Sequence, residues 1–397
     1  MAESIHIHSQ SLMGQRAKTP VHLVALRMIT GYALLIVSLV GLLGGDWDIQ
    51  WHAVVGRDRT FTPPHDMILI SIALNGLVAL ASILVETWWA QHNRELQENS
   101  TDFLGIFHSS LGTYLVGFAA VCSAVAFPLD TYWHALYGID VSIWAPFHTM
   151  LYVGGFIALI GLIYVLISAV HLAQKLNRNW LVYLGYAGAI LASAFLLSRL
   201  ATYIIPSISV NIAGISLFPI LLCVCVAFTC TIAVRLVPWP GTATLVIIAL
   251  LLAYTLVSVF VPPMIIALMQ AEHQVYLPGS TFLRSTVVPL LAQTPWLLLS
   301  GLSIDGIVFL SKRGRWWAAA RNWGVAIAAA VSTAIVAGLK LLELASAAAA
   351  SAGSSSGSGG HQSILPFLLA LIIAIPGGLL GSWLGSIVSG SVETLRR

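Results

Sequence analysis

Apolar runs of about twenty residues or more recur along this chain, and a run of that length is what a helix needs to cross a bilayer core. That recurrence constrains the fold more than any single motif. Ten spans are predicted, at 22–44, 66–90, 104–127, 148–170, 180–205, 211–237, 242–269, 286–310, 323–345 and 363–390. The expected fold is therefore all-α, a polytopic integral membrane helical bundle. Composition agrees: 58% of residues are hydrophobic, 8% are charged and the mean hydropathy is +0.91.

Polar residues are scarce enough that their clustering is informative. Asp46 to Asp66 holds four aspartates, two histidines and two arginines between the first two apolar runs. Charge at the mouth of a membrane helix is costly and tends to mark function. The pattern returns: Asp48, Trp51, His52, Asp58, Pro63 and His65 correspond to Asp130, Trp133, His134, Asp140, Pro146 and His148. The first four pairs are offset by 82 residues and the last two by 83, so one residue is added between Asp140 and Pro146. The first four spans thus carry a two-fold internal helix-loop-helix repeat.

The chain divides on this basis into an N-terminal segment 1–21, a repeat region 22–170, five further spans over 171–345, a linker 346–362 of alanine, serine and glycine, and a C-terminal span with a basic tail over 363–397. With the N-terminus inside, inner segments carry twelve Lys and Arg, whereas outer loops hold only Arg57, Arg59 and Arg284. Both termini are therefore expected in the cytoplasm and both repeated stretches outside. No cleaved signal peptide is expected, because the first twenty or so residues are polar. The net charge of +3 is spread over loops and points to no nucleic-acid partner. Cys122, Cys223, Cys225 and Cys230 all lie in apolar runs, which indicates neither a disulfide framework nor a thiolate metal site.

Asp48 and His52 stand four apart, as do Asp130 and His134, so on a helix each pair projects from one face toward a single ion. His65 and His148 each follow a proline by two residues, at the start of the next span. A loop that folds back brings each beside its pair, giving two candidate metal sites: Asp48/His52/His65 and Asp130/His134/His148. Asp58 and Asp140 lie between the ligands and could orient a histidine through its other ring nitrogen. Two imidazoles and one carboxylate suit iron, copper or zinc. Trp47, Trp51, Trp133 and Trp144 read as an interfacial aromatic belt. Glu272 and His273 are weaker candidates for lining the same outer cavity, with Arg199 as a counter-charge. Gly377, Gly381 and Gly385 form a small-residue stripe for close helix packing, within this chain or against another.

The first stretch, with Asp48, Trp51, His52, Arg57, Asp58, Phe61, Thr62, Pro63 and His65, resembles the signature of the copper-site subunit of copper-containing membrane monooxygenases, the particulate methane and ammonia monooxygenases. The second resembles that family's neighbouring site through His134, Ala145, Pro146 and His148, with Asp130 where the family carries asparagine. The likeness covers roughly residues 20 to 170 and implies copper as the metal, Arg57 beside the site, partner subunits or a homo-oligomer, membrane lipid as surroundings, and a bacterial or archaeal plasma membrane. Three functions suit the sequence: an oxidoreductase that uses dioxygen on a small apolar molecule, a membrane protein that binds or handles copper or another divalent metal without turnover, and a structural relative that has lost its chemistry.

Overall fold

The computed structural model describes residues 21–55, 60–138, 142–212, 215–276, 297–314, 323–332, 335 and 365–394. The linker 346–362, residues 1–20, Arg57, Asp58 and Asp140 lie outside the described residues. The chain forms an all-helical membrane bundle. Among the described residues, eight helices are long and apolar enough to span a bilayer. They are α1 (Val21–Val54), α2 (Pro63–Ala90), α4 (Leu111–Tyr137), α5 (Pro146–Lys175), α6 (Asn179–Tyr203), α7 (Leu217–Leu236), α8 (Thr242–Ala271) and α11 (Leu365–Thr394); α3 (Arg94–Glu98) is a single short turn. Helices α9 (Leu297–Arg313) and α10 (Trp323–Ser332) stand where the eighth and ninth spans were expected, and the rest of those two spans lies outside the described residues.

Helix α1 is central, packing against α2, α5, α6 and α8. Helices α2 and α4 pack together, as do α4 and α5, which closes the four helices of the repeat around a common interior. Their outer faces are apolar because they meet lipid: Ile70, Leu74, Leu77, Leu80 and Leu84 form an exposed stripe along α2. Helix α11 lies along α7. Gly381 and Gly385 sit against the Val224 and Phe228 carbonyls, where a Cβ has no room, so the small-residue stripe finds its partner within this chain.

Helix boundaries differ from the expected ones at points that matter for the site. Helices α1 and α4 run ten residues past their apolar runs, to Val54 and Tyr137, so both Asp/His pairs ride on helix rather than loop. The extension is stabilised by packing: Asp46, Gln50 and Trp51 are all buried inside the bundle. The third span starts at Leu111 instead of 104, because Leu104 (φ 59°) and Gly105 (φ 69°) turn the chain into a hairpin of β1 (Thr101–Phe103) and β2 (Phe107–Ser109). Ser110 then caps α4, its Oγ accepting from the Thr113 amide at 3.2 Å. A second hairpin, β3 (Asn211–Ile212) and β4 (Ile215–Ser216), delays the sixth span to Leu217 in the same way.

Candidate metal centre

Each site is built by one helical hairpin. Asp48 and His52 lie near the C-terminal end of α1, and His65 is the third residue of α2, which opens on Pro63 and Pro64. Proline suits that position, since the first amides of a helix have no intrahelical acceptor and its φ is already helical. The second hairpin repeats the plan with Asp130 and His134 near the end of α4, and His148 third in α5 after Pro146. The ends of α1 and α4 also bring the negative poles of their helices to the site, which favours a cation.

The predicted partners come together. His65 Nε2 is 3.1 Å and His52 Nε2 3.6 Å from Asp48 Oδ1. In the second group His148 Nε2 is 3.3 Å and His134 Nε2 3.4 Å from Asp130 Oδ2. Within each triad one ligand atom per residue lies within 4.8 Å of the others, so each could hold a metal ion. All six side chains are partly buried.

The tautomers follow from the other ring nitrogens. His65 Nδ1 faces the Thr60 carbonyl at 3.2 Å, His134 Nδ1 that of Gly138 at 3.1 Å, and His148 Nδ1 that of Ser142 at 2.8 Å. A carbonyl only accepts, so each Nδ1 carries a proton; each Nε2 faces the carboxylate, as a donor when the ring is doubly protonated and with the lone pair a metal ion needs when the ring is neutral. Backbone carbonyls thus orient these three histidines; Asp58 and Asp140, expected in that part, lie outside the described residues. Every residue carries a backbone carbonyl, so spacing gives no signal for this part of the site. Lone pairs converging on a carboxylate repel it unless a cation or protons lie between. Asp130 Oδ1 is moreover buried with no hydrogen-bond donor among the described residues, a cost that a bound cation relieves. The donor set therefore fits a transition metal.

The two groups border one cavity of about 650 Å³, whose wall includes Asp48 and His52 from the first and His148 from the second. The His65 ring also meets Phe127 of α4 edge-on, with centroids 6.0 Å apart. The cavity descends between α1, α2, α4 and α5 past Ile72, Leu151 and Ala158, and Arg199 of α6 reaches into it. The Arg199 guanidinium donates to the Gly41 carbonyl. The suspected counter-charge is therefore in the cavity wall, whereas Glu272 and His273, at the end of α8, do not line it. The tryptophans correct another expectation. Trp47 and Trp51 are buried in the core, Trp47 against Phe260, because this end of α1 packs into the bundle rather than facing lipid. Trp144 donates from Nε1 to the Tyr203 carbonyl at 2.8 Å, pinning the segment before His148 to the end of α6.

Fold and site together define a multi-pass, all-helical membrane protein with two Asp–His–His groups able to hold metal ions at one end of a shared cavity. No family model, curated protein or solved structure matches the chain.

Proposed function

We propose that this protein is a membrane metalloprotein holding one transition-metal ion at each triad, and that the ion serves the oxidation of a small lipid-soluble molecule by dioxygen. The observation that carries the reading is the pair of triads, each with Nε2 atoms converging on one carboxylate oxygen, on the wall of one largely apolar cavity. Copper is the proposed metal. Nitrogen and oxygen donors bind it more tightly than other divalent first-row ions, and the motif around Asp48, His52 and His65 resembles the copper-site subunit of membrane monooxygenases. Iron and zinc accept the same donors. When bound, the metal supplies redox chemistry with dioxygen. The chain's own residues hold it, fix the imidazole tautomers and keep apolar side chains around the approach.

The reading extends to further proposals: partner subunits or a second copy in the membrane, and a bacterial or archaeal plasma membrane with the triads on the outer face, as the distribution of Lys and Arg predicts. The test is metal analysis of purified protein, wild type and His52→Ala/His134→Ala, followed by an oxygen-consumption assay with a panel of small hydrocarbons and a chemical reductant. Copper lost with the two histidines, together with substrate-dependent oxygen uptake, supports the proposal. Copper held without oxygen uptake leaves a metal-binding or metal-handling protein. Absence of any transition metal overturns both.

A further inference from the structure

The lower part of the cavity carries two polar side chains that the triads do not use. Asn75 of α2 and Ser123 of α4 both line it. Ser123 is 5% exposed, and neither side chain has a hydrogen-bond partner among the described residues. Ser71 of the same cavity wall is occupied, donating to the Val37 carbonyl, and Ser193 donates to that of Ala189; Asn75 and Ser123 differ in that they face the cavity. An amide and a hydroxyl left unpaired in a membrane interior each cost free energy, and the usual resolution is a ligand or water that pairs with them.

Their depth is defined by helix geometry. Asn75 is ten residues along α2 from His65, about 15 Å, and Ser123 is seven residues along α4 from Asp130, about 10 Å, at 1.5 Å per residue. The cavity therefore has metal-binding groups at one end and a neutral donor-acceptor pair toward the membrane interior, with Ile72 and Leu151 between. At about 30 Å³ per water-sized group, a cavity of about 650 Å³ has room for roughly twenty such groups, well beyond a gas molecule. Arg199 is engaged by the Gly41 carbonyl and has Asp46 as a neighbouring opposite charge, so the cavity does not select an anion.

We propose that the cavity binds a neutral, mainly aliphatic molecule of medium chain length with one hydroxyl or carbonyl group, read by Asn75 and Ser123, its apolar end directed to the triads. This rests on the oxidation reading for its purpose but not for its test. Gly155 also lines the cavity, and a Cβ there meets nothing within 4 Å, so a larger side chain enters open space without disturbing the packing. The experiment is photolabelling of the full-length protein in lipid nanodiscs with a diazirine-bearing medium-chain primary alcohol, mapped by mass spectrometry, with decanol or decane as competitor. Labelling of cavity residues that decanol suppresses and decane does not is expected. Asn75→Leu/Ser123→Ala should weaken decanol competition about tenfold while leaving metal content unchanged, and Gly155→Phe should abolish the labelling. Equal competition by decane and decanol, labelling unaffected by Gly155→Phe, or no labelling of the cavity overturns the proposal and leaves a hydrated void. Alcohol-selective labelling in protein that carries no metal would sustain this inference while the oxidation reading fails.

Discussion

The Arg27 guanidinium grips the Glu86 carboxylate through two buried hydrogen bonds, Nε to Oε1 at 3.1 Å and Nη2 to Oε2 at 2.9 Å. The pair joins α1 to α2 at the end opposite the first triad, and Arg27 Nη2 also donates to the Asn99 carbonyl at 2.9 Å. Between the two ends Thr30 donates to Ser82 and Ser71 donates to the Val37 carbonyl, so the hairpin is held in register along its length. A slip at the ion pair therefore misplaces His65 against Asp48.

Removing one partner leaves a buried charge unpaired. Glu86→Ala is expected to cost about 3–5 kcal/mol, whereas Arg27→Met/Glu86→Leu costs much less because no charge remains. Thermal unfolding in detergent, comparing the single and double variants, measures the difference. A double variant no more stable than the single one would show that the pair does not act through charge burial.

Metal occupancy should depend on pH in one direction. The histidines bind as neutral imidazoles, so protons compete with the ion, and occupancy falls as pH drops through about 6.5 to 5, where free histidine takes up its proton. Equilibrium dialysis across that range reads the loss directly. Occupancy that stayed flat, or rose on acidification, would exclude imidazole ligation.

The two aspartates should respond differently to shape and charge. Asp48→Ala removes both a donor oxygen and a negative charge, while Asp48→Asn keeps the oxygen, so alanine should weaken binding at the first site at least as much. Asp130→Asn should be the mildest of the ligand changes, since a neutral amide stands at that position in the family the motif resembles. Chelator competition titrations on each variant give the order, and an Asp130→Asn loss equal to that of His134→Ala would contradict it.

The contact between α11 and α7 gives a stability prediction independent of the metal. A Cβ at Gly381 collides with the Val224 carbonyl, and one at Gly378 comes within 2.8 Å of Ala330 Cβ. Gly381→Leu must push the helices apart and is expected to destabilise the bundle by about 1–3 kcal/mol or more. Gly390→Ala, on the same helix with nothing within 4 Å, should be close to neutral. Parallel melting curves check both.

What the sequence made legible was whatever physics writes at short range. Apolar run length located the spans, and the four-residue spacing of Asp48 with His52 and of Asp130 with His134 placed each pair on one helical face. Proline two residues ahead of His65 and His148 marked where the next helix begins. Hydrophobicity alone could not distinguish Phe103 to Phe107 as a hairpin from the start of a span, because the deciding feature is the positive φ of Leu104 and Gly105. Nor could spacing pair Arg27 with Glu86, 59 residues away. Asn75 and Ser123 gave no signal either: single polar residues in apolar runs usually find a backbone acceptor, and only the cavity shows that these do not.

Each triad is contained in a single hairpin, Asp48 to His65 on α1 and α2, Asp130 to His148 on α4 and α5. Short loops close at little entropic cost and local contacts form early. The first triad and the contacts that hold its hairpin in register lie within α1 and α2, so a nascent chain entering the bilayer can complete it while the second hairpin is still being made. Assembly hairpin by hairpin is open to such a chain, and because Phe127 belongs to the second hairpin its contact with the His65 ring forms only when the two halves dock, which makes that contact a marker of their assembly.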